Sequence, residues 1–155
     1  FNDFMSKIID KKLDKTILLK SSQNYPILGV CVGFQILFEG SNEHKLTKGL
    51  GLIKGEFVSF KEEKIVKKVP HVGWNECKII NKNNLFHGIN DNSDFYFTHS
   101  YFLKNYEIDN VLSKTNYGVD FVSSVNLKNL YGVQFHPEKS QISGLNILKN
   151  FYERC

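Results

Sequence analysis

Cysteine is scarce in this chain of 155 residues, with three copies at positions 31, 77 and 155. An odd number without metal-ligand spacing excludes a disulfide framework, gives no sign of a metal or other cofactor, and fits a reducing cytoplasm. Long apolar runs are missing too: uninterrupted hydrophobic stretches last only a few residues. Neither a membrane-spanning helix nor a secretory signal is therefore expected. Charge of one sign is equally thin, at a formal net +4. The densest group, Lys61-Glu62-Glu63-Lys64-Ile65-Val66-Lys67-Lys68, is mixed in sign and reads as a solvated strand or loop face. No basic stripe interleaved with aromatics appears, which argues against a nucleic-acid partner. Repeats and linkers are absent as well, and Asn81-Lys82-Asn83-Asn84 and Asp91-Asn92-Ser93-Asp94 read as turns. With 41% hydrophobic residues, residues 1–155 read as one domain with material for a core.

Two short segments carry chemistry. In the first, the apolar run Tyr25-Pro26-Ile27-Leu28-Gly29-Val30 leads through Cys31-Val32-Gly33-Phe34 into the helix-compatible Gln35-Ile36-Leu37-Phe38-Glu39. Cys31 thus falls at a strand-to-helix turn, a nucleophile elbow with sulfur in place of oxygen. Gly29 and Gly33 supply the small neighbours such a turn needs. At a helix start, beside a histidine, a thiol pKa can fall from about 8.5 toward roughly 3.5–7.5.

The second segment is Gly132-Val133-Gln134-Phe135-His136-Pro137-Glu138-Lys139. It reads as a strand end, where residues two apart face the same side, so the Glu138 carboxylate can hold the His136 imidazole. Pro137 fixes φ between them. Cys31, His136 and Glu138 together form a plausible triad for acyl transfer.

Helical spacing covers Asn2 to about Leu19 in two pieces, and a closing helix from about Gln141 to Glu153. Ile142, Leu145, Leu148, Phe151 and Tyr152 mark its apolar face, and Ser140 its N-cap. Strands are expected at 25–30, 52–59, 69–79, 94–100, 119–125 and 130–135.

With Val69-Pro70-His71-Val72-Gly73-Trp74-Asn75, with Phe95-Tyr96-Phe97-Thr98-His99-Ser100-Tyr101, and with the closing stretch from Lys139 to Phe151, the pattern becomes specific. Along nearly its whole length the chain resembles class I (triad-type) glutamine amidotransferases, and among them the glutaminase subunits of imidazole glycerol phosphate synthase. The resemblance implies an α/β fold, flavodoxin-like, with an open, mostly parallel sheet flanked by helices. It also implies further residues upstream of Phe1, carrying the first strands and a glycine-rich turn.

The same resemblance gives roles. Cys31 attacks the side-chain amide of glutamine, His136 moves the proton, Glu138 orients His136, and the Val32 N–H stabilises the oxyanion. Gln35, Glu43, His99, Ser100 and Tyr101 hold the amino-acid end of the substrate. Trp74, Asn75, Tyr96 and Lys139 face a (β/α)8-barrel cyclase subunit, the heterodimer partner that receives the ammonia. Val32 stands where leucine is usual and Phe34 where methionine is common, apolar swaps that preserve the turn. A paralogous subunit feeding a sugar-amidating enzyme of surface-polysaccharide synthesis, and a noncatalytic scaffold, are the alternatives.

Overall fold

The computed structural model describes residues 1–43, 46–62, 68–107, 109 and 111–155. Two helices, α1 (Asn2–Asp10) and α2 (Leu13–Ser22), precede β1 (Ile27–Val30) and the short α3 (Val32–Ile36). There follow β2 (Phe38–Ser41), β3 (Thr47–Lys48), β4 (Ile53–Ser59), β5 (His71–Ile79), β6 (Ser93–His99), β7 (Tyr101–Lys104), β8 (Val111–Asn116), β9 (Asp120–Leu127), β10 (Leu130–Val133) and α4 (Gln141–Arg154). Among the described residues the strands form two sheets, ordered β1-β10-β9-β8-β5-β6 and β3-β2-β4-β7.

The fold is α/β, as the resemblance implied, but its sheets are mixed. Parallel pairing joins β1 to β10 and β2 to β4, whereas β10-β9-β8-β5-β6 is antiparallel throughout. Short links explain this: β8, β9 and β10 are joined by turns too short for a crossover, and only antiparallel neighbours can be joined that way.

Phenylalanine fills the interior. Phe34, Phe38 and Phe57 meet edge-on with centroids 5.2–5.3 Å apart under the second sheet. A larger cluster includes Phe60, Phe95, Phe97, Phe121 and Phe135 and packs beneath the six-stranded sheet. Edge-to-face pairs of this kind add to the burial of their area.

Three local readings of the sequence give way. The helix after the elbow stops at Ile36, because residues 50–53 take its last carbonyls: Leu50 N–H bonds Ile36 O, and Leu52 and Ile53 N–H bond Leu37 O. Phe38–Ser41 is then free to pair as a strand. The segments Tyr101–Lys104 and Val111–Asn116 are strands where none was anticipated. In α4 the inward face is Gly144, Ile147 and Asn150, with Phe151 half-buried, while Ile142 and Tyr152 are 76% and 90% exposed. Contacts specific to that face decide it. Pro137 O lies where a Cβ on residue 144 would stand, and the Asn150 amide donates to the carbonyls of Leu85 and His87. Of the charged run at 61–68, residues 63–67 lie outside the described ones.

Candidate active site

Cys31 directly follows β1 with φ 51° and ψ −110°, a conformation an L side chain rarely adopts. Such strain persists only where surrounding contacts impose it. Here the Cys31 N–H donates to Val133 O at 2.9 Å, extending the β1/β10 register, and the Cys31 carbonyl accepts from Gln35 N–H at 3.1 Å, opening α3. Gly29 is required sterically, since a Cβ there would stand 2.5 Å from Gly33 O. Gly33 itself faces open space, so the need for a small neighbour does not extend to it. The crowding lies instead at Gly132, over which the Phe34 ring folds to within 2.2 Å of a would-be Cβ.

His136 follows the end of β10, the parallel neighbour of β1, so both candidate groups stand at C-terminal strand ends. Its backbone is clamped to β6 from both sides. The His136 N–H donates to Tyr96 O at 2.8 Å; the Ser140 hydroxyl donates to His136 O at 2.6 Å and accepts the Tyr96 N–H at 2.9 Å. Ser140 occupies the N-cap position of α4, yet its hydroxyl serves this clamp and caps no helix N–H. Pro137–Lys139 form a single 3-10 turn that brings Glu138 Oε1 to 2.7 Å from His136 Nδ1. A carboxylate can only accept, so Nδ1 carries the proton. His136 Nε2 is buried, bonded to no group among the described residues, and left with a lone pair.

Burial raises the Cys31 thiol above its ordinary pKa, opposed by the Val32 N–H and reinforced by the nearby Glu138 charge. The depressed value expected of a helix start does not hold here, since desolvation outweighs the five-residue helix. The thiol donates to Thr98 O at 3.8 Å and receives the Gln134 amide Nε2 at 3.8 Å; Gln134 Oε1 in turn accepts from Gln35 Nε2 at 3.1 Å. Gln134 is fully buried. Its signal in the sequence is a lone polar residue inside Tyr131–Phe135, facing the same way as His136.

A cleft of about 350 Å³ opens at the sulfur, lined by Cys31, Val32, Gln35, Glu43, His99, Ser100 and Tyr101 among others. Every residue that the resemblance placed around the substrate thus borders one cavity. A larger groove, about 900 Å³, is lined by Asn75, Lys78, Lys114 and Asn116, none of which borders that cleft.

Trp74, Tyr96 and Lys139 cluster on the outer face of β5 and β6. Trp74 is 47% exposed and meets Tyr96 edge-on at 6.0 Å, with Lys139 Nζ 5.6 Å from the Tyr96 ring centre. Asn75 lies on the opposite face of β5. Its amide donates to Asn116 O and toward His71 Nε2, and its Oδ1 accepts the Glu76 N–H.

The model of the family described as glutamine amidotransferase class-I matches residues 9–155. The chain is 48% identical to the imidazole glycerol phosphate synthase subunit HisH of Methanocaldococcus jannaschii, over 91% of this chain and 70% of that one. It is 44% identical to the subunit HisH 1 of Methanococcus maripaludis, over 99% and 75%. Among solved structures, PurLQS from Thermotoga maritima superposes with a TM-score of 0.68 at 18% identity, over 91% of this chain and 67% of that one.

Proposed function

From the premise that this chain belongs to the class-I glutamine amidotransferases, and among them to the HisH subunits of imidazole glycerol phosphate synthase, we propose that it hydrolyses glutamine through Cys31, His136 and Glu138. The ammonia passes to a (β/α)8-barrel cyclase partner in histidine biosynthesis, in the cytoplasm. The observation that carries this reading is His136 Nε2, buried, without a hydrogen-bond partner among the described residues, and held in the acceptor tautomer by Glu138.

Glutamine enters with its amino-acid end among Gln35, Glu43 and the His99–Tyr101 segment, where the Glu43 carboxylate suits an ammonium. The thiol gives its proton to His136 Nε2 as sulfur attacks the carboxamide carbon. The Val32 N–H receives the developing oxyanion, a contribution worth about 3–4 kcal/mol in comparable sites. Collapse expels ammonia, protonated by His136, and leaves a thioester. Water, deprotonated by the same Nε2, then releases glutamate and restores the thiol. Glu138 stabilises the imidazolium in both halves. Trp74, Tyr96 and Lys139 form the docking face, where an exposed tryptophan suits an interface anchor.

The test is glutamate release from glutamine, with the chain alone and mixed with a cyclase-type barrel subunit and its ribonucleotide ligand. Strong stimulation in the mixture is the expected result. Turnover indifferent to that barrel would point to a sugar-amidating partner, and none in either arm to a scaffold.

A further inference from the structure

Two buried histidines at and behind the cleft take no part in the proton transfers above. His71 and His99 are direct cross-strand partners of β5 and β6, 2% and 6% exposed. Their protonation follows from their neighbours. His99 Nδ1 lies 2.8 Å from Tyr101 O, a carbonyl that can only accept, so Nδ1 carries the proton. His99 Nε2 is then an acceptor, and it receives His71 Nδ1–H at 3.0 Å. His71 Nε2 is left to accept, and the Asn75 amide donates to it at 3.2 Å. Every bond in the chain from Asn75 through His71 and His99 to Tyr101 runs in one direction.

The arrangement tolerates no extra proton, since an imidazolium in either ring would turn N–H against N–H. Burial holds both rings neutral, pushing His71 down to about 4 and His99 to about 3. The His71 ring is also stacked between Phe97 at 4.8 Å and Tyr117 at 4.0 Å. One end of the chain opens on the groove that Asn75 and Asn116 line. The other ends on the carbonyl of Tyr101, where β6 passes into β7 and where His99, Ser100 and Tyr101 form a wall of the cleft.

We infer that His71 is a positioning residue for substrate: through the one-way chain from Asn75 across His99 to the Tyr101 carbonyl, it fixes the wall that receives the amino-acid end of glutamine. This rests on the reading of the cleft as a glutamine site. The His71 ring bonds run to Asn75 and His99, so its effect falls on recognition and leaves the intrinsic reactivity of sulfur unchanged.

The experiment compares two electrophiles at Cys31 by mass spectrometry: iodoacetamide, which reads the thiol alone, and the diazoketone analogue of glutamine, which must first occupy the cleft. His71→Phe keeps the stacked ring and removes both nitrogens; His71→Asn keeps a donor in the place of Nδ1. In His71→Phe the analogue should react about tenfold more slowly, the factor expected for one hydrogen bond of typical net strength, with iodoacetamide unchanged. His71→Asn should recover most of that loss. Equal analogue rates in parent and His71→Phe overturn the inference, and so does a parallel slowing of both reagents in both variants. Failure of the parent to react with the analogue at all would instead overturn the glutamine reading of the cleft.

Discussion

The buried amide of Gln134 bridges Gln35 and Cys31, accepting from Gln35 Nε2 at 3.1 Å and reaching the sulfur with its own Nε2 at 3.8 Å. It is a fixed N–H donor for a thiol that burial otherwise keeps protonated, and it holds Gln35 at the rim of the cleft. Gln134→Leu should therefore shift the pH profile of Cys31 alkylation further to alkaline. It should also lower stability by about 1–3 kcal/mol, because the Gln35 amide is left buried without its partner. An unchanged alkylation profile would refute a role for Gln134 toward the thiol.

The roles proposed for Cys31, His136 and Glu138 separate by substitution. Cys31→Ala should abolish glutamine-dependent turnover by the subunit pair while turnover supplied with free ammonia persists. Glu138→Gln should cost less than His136→Ala, because it disturbs orientation and leaves the base in place. The reverse ranking in steady-state assays would overturn the roles given to His136 and Glu138.

Backbone strain at the elbow gives a stability prediction independent of catalysis. Cys31 sits at φ 51°, so Cys31→Gly should be more stable than Cys31→Ala by about 1 kcal/mol, the relief of strain exceeding the added freedom of the unfolded chain. Equilibrium denaturation of the two variants measures this. Equal midpoints would mean that the elbow stores no strain.

Glycine sites around the elbow differ sharply. Gly33→Ala should be neutral or stabilising, since its Cβ would meet nothing within 4 Å. Gly132→Ala should cost about 1–3 kcal/mol through collision with the Phe34 ring. Phe34→Leu should restore part of that loss in the double variant, and strict additivity would show that the two positions do not interact.

The histidine pair makes the protein sensitive to acid. Both rings have folded-state values below the ordinary 6.5, at about 4 and about 3. As pH falls below 6.5 the unfolded chain binds protons that the folded one refuses, so unfolding becomes easier toward about 4, by up to about 1.4 kcal/mol per pH unit for each ring. His71→Asn should flatten the lower limb of stability against pH. At the alkaline end Cys77, raised to about 11 by burial, acts with the opposite slope: its contribution is complete below 9 and declines toward about 11.

The turn at Cys31 and the contact between His136 and Glu138 were legible because each lies in one compact segment whose local geometry follows from short-range rules: a strand running into a helix, and a histidine two residues from a carboxylate. Strands β7 and β8 were not legible. Tyr101–Lys104 and Val111–Asn116 take strand form from partners in β4 and β9 that no local pattern announces. The face of α4 was misread because Ile142, Leu145 and Leu148 have helical spacing as good as that of Gly144, Ile147 and Phe151. What decides between the faces is a close approach to Pro137 in the turn before the helix and the two bonds of Asn150 to the distant Leu85 and His87. Gln134 and the bond between His71 and His99 escaped notice for a related reason: a polar residue in an apolar strand declares its partners only when its neighbours across the sheet are known.

The register of β1 on β10, with Val30 opposite Val133 and the next N–H bonded to the same carbonyl, has a consequence for quality control. The proposed nucleophile and base come from strands far apart in the sequence, and a slip of one residue would turn alternate side chains to the wrong face. Cys31 and His136 would then point away from each other however well the rest of the core had packed. Catalytic competence is in this sense a checksum on strand assembly: a molecule that turns over glutamine has, by doing so, certified its own sheet.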